Sequence, residues 1–153
     1  MTDPSALLDT VNRRLLRELT AEPRITMSAL ARRVDMSAPA VTERVQRLER
    51  VGIITGYRAE LDLRRLGYQL TAIVRIKPAP GALPRIPELA AEIPEISECH
   101  RITGEDCFFL KVHLRSIDEL GGLLDRFLVH GETTTSLINA TPIARRDPPL
   151  DDD

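Results

Sequence analysis

Two stretches of the chain carry residue types whose spacing could do chemistry. The first is Met36 to Gly52, MSAPAVTERVQRLERVG. Ser37 suits a helix N-cap and Pro39 the first turn after it. Val41, Val45 and Leu48 recur at i, i+4 and i+7 as one apolar stripe, which leaves Thr42, Glu43, Arg44, Gln46, Arg47 and Arg50 on the other faces. Small residues at the start and arginines along the outside fit a DNA major groove, where a helix meets base edges with its N-terminal end. Thr42 can donate or accept, and Ala38 or Pro39 can meet a thymine methyl. Glu43 can accept from cytosine, a solvated carboxylate being the alternative, and Arg44 and Arg47 suit phosphate or guanine. Arg32 and Arg33, just upstream, suit the phosphate backbone, which positions without specifying.

The second stretch is Glu98 to Phe108, ECHRITGEDCF. Backbone N–H groups at a turn through Gly104 can hold a carboxylate, while Glu105 or Asp106 can meet an ammonium. A plain hairpin with solvated acids is the competing reading, since turns favour the same residue types. A metal site from Cys99, His100 and Cys107 is disfavoured: adjacent strand residues point to opposite faces, and no CxxC spacing exists. No Gly-rich phosphate loop or nucleophile elbow is present.

These residues need elements to hold them. Leu7 to Ala21 reads as a helix with Leu8, Val11, Leu15 and Leu19 on one face, ended at Glu22-Pro23 because the residue before proline avoids the helical region. Thr26 caps a second, short helix with Met27, Leu30, Ala31 and Val34 as its apolar face. Asp35-Met36 is then a tight turn, with Asp35 where glycine would be easiest. Two short helices so closely joined make a helix-turn-helix. Ile53 to Tyr57 reads as a short strand or wing.

From Leu70 the period changes to two: Leu70, Ala72, Val74 and Ile76 alternate with Thr71, Ile73, Arg75 and Lys77. A loop, Pro78 to Pro84, leads to a short helix carrying Ile86, Leu89, Ala90 and Ile93, stopped by Pro94. Ile96 to Thr103 and the run of Phe108, Leu110, Val112 and Leu114 are strands around a hairpin turn. Ser116 to Glu119 forms a capping box for a helix burying Ile117, Leu120, Leu124, Phe127 and Leu128. Gly121 and Gly122 weaken that helix by about 1 kcal/mol each relative to alanine, which close packing would explain. Thr133 to Ala140 is a fourth strand. The order βαββαβ is the ferredoxin-like arrangement, with helices on one sheet face. The other face, with Ile73, Phe109 and His113, is too apolar to leave wet, so self-association is expected.

The totals bound what such a chain can be. At 153 residues it holds one domain or two small ones, and two lobes of this size gain from oligomerisation. No apolar run reaches the length of a membrane span, and no signal peptide is evident. Two cysteines without an export signal fit a reducing cytoplasm. The net charge of -2 is unlike a DNA-binding protein, but its distribution is not. Ten basic residues face seven acidic ones up to Arg58; beyond it, eleven face sixteen. A basic front and an acidic rear imply lobes with different partners.

The segment LLDTVNRRLLRELTAEPRITMSALARRVDMSAPAVTERVQRLERVGIITGYRAELD resembles the N-terminal part of the Lrp/AsnC family, the feast/famine transcriptional regulators. The likeness rests on Leu8-Asp9, Pro23-Arg24-Ile25, Leu30-Ala31, Met36-Ser37, Val41, Arg44-Val45, Leu48-Glu49 and Gly52-Ile53-Ile54 through Gly56-Tyr57. Asn12 stands where the family often has Asp, and Asp35 where it has Gly. The rear lobe resembles the family's RAM domain, and the likeness covers about Leu7 to Ile143.

The resemblance implies an α+β chain: a winged helix-turn-helix over 1–57, a strand linker over 58–67 and a RAM domain over 68–143. The acidic tail, 144–153, is expected to be disordered. It implies a regulator that binds double-stranded DNA through Arg32, Ser37, Ala38, Pro39, Thr42, Glu43, Arg44 and Arg47. It implies dimers assembling into an octamer or similar ring, with no cofactor and a small amino-acid effector bound between dimers. That effector site would draw on His100, Gly104, Glu105, Asp106, Cys107, Thr133 and Thr135. After the glycine the family commonly has acid, aromatic, acid; here Glu105 keeps the first, while Asp106 and Cys107 depart. Two readings compete. Some tetrapyrrole decarboxylases share the two-lobe architecture, by fold analogy alone; His100 and His113, on opposite strand parities, would then have to converge on a pocket. A purely structural assembly subunit is the other.

Overall fold

The computed structural model of the chain describes residues 7–150. They form two compact units: residues up to Glu60 together with those from Arg145 onward, and Leu61–Ala144. The stretch expected as linker is divided between them, residues 58–60 with the first unit and 61–67 with the second.

The first unit holds helices α1 (Thr10–Ala21), α2 (Met27–Arg33) and α3 (Ala38–Arg50). Each starts on a side-chain cap. Asp9 accepts from the Asn12 N–H, Thr26 from the Ala29 N–H and Ser37 from the Ala40 N–H, each satisfying a donor that the helix leaves open. The first helix therefore begins three residues later than its apolar pattern suggested, because Asp9 stops it. Its buried face also differs: Asn12, Leu15, Leu16 and Leu19 are buried, while Leu8 and Val11 are only partly so. Leu15, Leu30, Val41 and Val45 are buried in one cluster, and fix α3 against the other two helices. Between α2 and α3, Asp35 takes φ 56°, the left-handed turn that aspartate tolerates better than most residues.

No strand follows α3 among the described residues of the first unit. Residues 51–60 are turn and irregular chain, which corrects the expectation of a strand or wing there. A strand needs a neighbour to receive its backbone groups. Here the Ile53 and Ile54 N–H groups turn back instead to the Leu48 carbonyl. Tyr57 donates its hydroxyl to Glu49 at 2.9 Å, pinning the segment to α3. Partial burial, then the Glu49 hydrogen bond and charge, push its phenol up to about 12. The linker is no strand either: residues 63–67 form a turn. The tail runs without regular structure to Leu150, whose carbonyl accepts from Arg17 Nε at 3.0 Å. Asp151 to Asp153, the end of the tail expected to be disordered, lie outside the described residues.

The second unit holds β1 (Leu70–Pro78), α4 (Arg85–Ala91), β2 (Ile96–Arg101), β3 (Phe108–Leu114), α5 (Ile117–Leu128) and β4 (Gly131–Leu137). The strands pair antiparallel in the order β2-β3-β1-β4, the ferredoxin-like arrangement expected from βαββαβ. Val74, Ile76, Phe108, Leu110, Val112 and Leu114 face the helices and pack with Ile86, Leu89, Ile93, Leu123 and Phe127.

The last helix departs from expectation at both ends. Ser116 makes no side-chain cap bond. Glu119 reaches past it to the Arg115 N–H at 2.8 Å, so the reciprocal capping box expected here does not form. Leu123 and Phe127 supply the buried face, whereas Ile117 and Leu128 are 55% and 58% exposed. A Cβ on Gly121 or Gly122 would meet nothing within 4 Å, which removes close packing within this chain as the reason for these glycines.

Candidate nucleic-acid and effector sites

With Val41, Val45 and Leu48 buried, α3 turns Pro39, Glu43, Gln46, Arg47 and Arg50 outward. The remaining residues read as DNA contacts lie elsewhere on the helix. Ser37 spends its oxygen on the cap at 3.4 Å. Ala38 packs partly against the first unit's core. Thr42 donates its hydroxyl to the Ala38 carbonyl at 2.8 Å, leaving only acceptor capacity and a methyl.

Arg44 is turned back onto the first helix. It donates to Asp9 at 2.8 Å and to the Asn12 side-chain oxygen at 3.0 Å. Buried Asn12 completes the cluster by donating to the Leu7 carbonyl at 2.7 Å, which an aspartate could not do. Desolvation works upward on the Asp9 carboxyl, but the Asn12 N–H and Arg44 outweigh it and hold it below the usual carboxylate value. Arg44 thus ties the third helix to the cap of the first.

Other arginines are also engaged. Arg33 bridges to Glu18 and Glu22 at 2.7 and 2.6 Å, and so is turned to α1 instead of outward to a phosphate. Arg14 pairs with Asp35 and donates to the Arg33 carbonyl. Arg32, Arg47 and Arg50 are exposed and have no hydrogen-bond or ion-pair partner among the described residues. Arg24, Arg58 and Arg146 of the same unit are likewise exposed and unpaired among the described residues, so the free charge on α2's end and the outer face of α3 is part of a wider set. Gln46 and Arg50 belong to that face, as their place off the apolar stripe implied, although neither was assigned a DNA contact. Their spacing from Pro39 and Glu43, at i+3, i+4 and i+7, was the available signal.

The residues expected to bind an effector gather at one end of the sheet, on two faces. Gly104, at φ 115°, and Glu105 sit exposed on the β2–β3 connection. The Cys107 N–H donates to the Ile76 carbonyl at 2.9 Å. Thr133 pairs with the same Ile76 from the other side, so Cys107 and Thr133 lie about two strand spacings apart, roughly 10 Å. Thr133 and Thr135 are on the helix-covered face, in register with Ile76 and Val74. The Thr135 hydroxyl is buried without a hydrogen-bond partner among the described residues. Asp106 is paired with Arg75 at 3.3 Å, which leaves Glu105 as the acid free to meet an ammonium. Arg75, an outward position of β1, was not among the candidates.

His100 lies on the open face, 3.3 Å from Glu98, with its ring 6.0 Å from that of Phe109. His113 shares that face, which overturns the reading of opposite parities. Register decides the face: Glu98 and His100 pair with Lys111 and Phe109, two and four residues before His113. Neither histidine lines the cleft between Pro84 and Arg101 or the one between Tyr68 and Ile138. His113 sits between the Thr71 hydroxyl at 3.1 Å and the Ser97 hydroxyl at 3.0 Å. Desolvation, then the Lys111 charge, push its pKa down against the opposing pull of Glu98. Glu98 is itself held low, chiefly by the Lys111 hydrogen bond at 3.1 Å.

A base with a lowered folded pKa gives stability that is complete above its unfolded value, about 6.5, and is lost as pH falls through the folded value. Thermal melts of the second unit should accordingly show a fall in midpoint below about pH 6.5 that is shallower in His113→Gln. Equal slopes for both proteins would remove His113 as the cause.

Among the described residues no group of three His, Cys, Asp or Glu side chains is placed to hold a metal ion. Cys99 faces Leu110 and the helices while His100 faces out, as their adjacency requires. No described helix is long and apolar enough to cross a membrane.

Residues 8–55 match a family profile described as winged helix-turn-helix DNA-binding, and residues 71–148 one described as the Lrp/AsnC ligand binding domain. The chain is 38% identical over 120 residues to the HTH-type transcriptional regulator LrpA of Mycobacterium tuberculosis, covering 78% of this chain and 80% of that one. It is 34% identical over 155 residues to the proline dehydrogenase transcriptional activator of Rhodobacter capsulatus, covering 97% and 99%. A Neisseria meningitidis transcriptional regulator, solved as an L-Met complex, superposes with a TM-score of 0.87 at 22% identity, covering 93% and 96%. The decarboxylase reading finds no support in these relatives. Helix-turn-helix, ferredoxin-like sheet and both matched regions agree: the chain belongs to the Lrp/AsnC family of DNA-binding transcriptional regulators.

Proposed function

We propose that the outer face of α3 reads the major groove and that Arg44 holds this helix in place for it. The observation that carries this is the contrast between two arginines one turn apart. Arg44 is consumed by Asp9 and Asn12, whereas Arg47 is exposed and without a partner. Arg47 and Arg50, with Glu43 and Pro39, then meet bases and phosphates, and Arg32 meets the backbone. Ser37, Ala38 and Thr42 fix the N-terminal end that approaches the groove. The protein acts as a non-enzymatic cytoplasmic regulator. The linker between residues 58 and 67 and the RAM domain over 68–143 pair two such helices in a dimer, which assembles further into a ring.

An amino acid is the proposed effector. The chemistry supporting it is Gly104, whose turn exposes backbone donors for a carboxylate, with Glu105 free for an ammonium. The likeness to the Neisseria regulator, whose structure is an L-Met complex, points the same way. Asp106, His100, Cys107, Thr133 and Thr135 shape the same end of the sheet, where a second dimer would complete the site. Titrating the complex with DNA from the gene's upstream region against each amino acid tests this. One amino acid should shift the binding midpoint, and Glu105→Gln should reduce that shift. If none shifts it, the effector assignment fails while the regulator stands.

A further inference from the structure

A cleft of about 490 Å³ opens between the segment leading into α4 and the edge strand β2, a size that suits a small molecule. Leu83, Pro84, Pro87 and Phe108 form its apolar wall, and Cys99 and Arg101 line it from β2. Both point this way because they pair with Leu110 and Phe108, whose side chains lie on the helix-covered face. The cleft involves neither Gly104 nor Glu105, and neither Thr133 nor Thr135. It is therefore separate from the amino-acid site proposed above.

Its chemistry is one-sided. Arg101 brings a guanidinium that has no hydrogen-bond or ion-pair partner among the described residues. None of the lining residues is acidic. We infer that this cleft binds a small monocarboxylate with an apolar body and no ammonium group, such as a branched or aromatic 2-oxo acid. The carboxylate takes the fork of Arg101, which matches it with two parallel hydrogen bonds. The apolar body lies on Leu83, Pro84, Pro87 and Phe108. An amino acid would bring its ammonium against this apolar wall with nothing to receive it, a cost that the oxo acid avoids. Burial also pushes the Cys99 thiol up, so the thiol stays protonated and does not repel the anion.

Cys99 supplies the readout. In the full-length Cys107→Ser protein, the rate at which iodoacetamide alkylates Cys99 would be measured with 4-methyl-2-oxopentanoate, with phenylpyruvate and with leucine. At least one oxo acid should slow alkylation in a saturable way, and leucine at the same concentration should not. Arg101→Gln, with its folding checked by circular dichroism, should weaken that protection by about tenfold or more, and Arg101→Lys by less. Absence of protection by either oxo acid, or protection that survives Arg101→Gln unchanged, overturns the site. Equal protection by leucine overturns the assigned ligand class. None of these outcomes depends on DNA binding, so they are independent of the α3 reading.

Discussion

Replacing Arg47 by alanine is expected to weaken binding to the protein's DNA site by about 1–3 kcal/mol, and by different amounts for different bases at the contacted position. Arg47 is exposed, lies opposite the buried stripe of α3 and has no partner to lose among the described residues, so the stability of the unit should hardly change. Arg44→Ala should behave in the opposite sense. It strands the oxygen of buried Asn12 and frees Asp9, which costs stability by about 1–3 kcal/mol and lowers affinity alike for every sequence. Competition assays on duplexes substituted base by base, alongside urea melts of both variants, separate the two roles. If Arg44→Ala alone proved base-dependent, the roles assigned to the two arginines would have to be exchanged.

Phe127→Ala is expected to cost the second unit about 3–5 kcal/mol. Phe127 is completely buried, and α5 is otherwise held by Leu123, by the partly buried Leu120 and Leu124 and by the exposed Arg126–Glu92 ion pair. Its Ser116 cap bond is missing, and Ile117 and Leu128 are exposed. Leu123 and Phe127 are its only fully buried side chains among the described residues, and two glycines lower its intrinsic helicity by about 1 kcal/mol each. Truncating the larger anchor should loosen the helix from β3 and β4 as well as leave a cavity. Chemical unfolding followed by circular dichroism should show the transition of this unit moving to lower urea, while that of the helix-turn-helix stays. Because the chain has two units, the two transitions have to be fitted separately. A shift worth less than about 1 kcal/mol would mean that α5 is held by contacts other than those described here.

Where hydrophobic period was unambiguous, the sequence was a sufficient guide. Val41, Val45 and Leu48 are buried as their spacing requires, and Phe108, Leu110, Val112 and Leu114 alternate inward along β3. Caps were legible where a short polar residue preceded the apolar run, at Thr26 and Ser37. The failures share a cause: they concern partners distant in sequence. A period-3.6 pattern on Ile117, Leu124 and Leu128 could not say which of two adjacent stripes would face the sheet, and Leu123 won. Apolar residues at Ile53 and Ile54 made a strand plausible, but strand formation depends on a neighbour that this stretch lacks. The faces of His100 and His113 followed from a register that position numbers do not contain.

The candidate sites show the same division. Residue types pointed to α3 as the element proposed to meet DNA, yet chemistry alone could not tell Arg44 from Arg47. The difference lies in Asp9 and Asn12, more than thirty residues away. Likewise Asp106 reads as a free acid beside a glycine turn until Arg75 on β1 is seen to hold it. Side chains that can donate to a ligand can also donate to the fold. Only the three-dimensional arrangement decides which they do.

The measurement closest to the central claim is the binding of the full-length protein to its own upstream DNA and to a scrambled duplex of equal length, across a salt titration. Binding should favour the native sequence, weaken steeply with salt as phosphate contacts are screened, and lose its preference, more than its salt dependence, in Arg47→Ala. Equal affinity for the two duplexes at every salt concentration would contradict base reading by the outer face of α3.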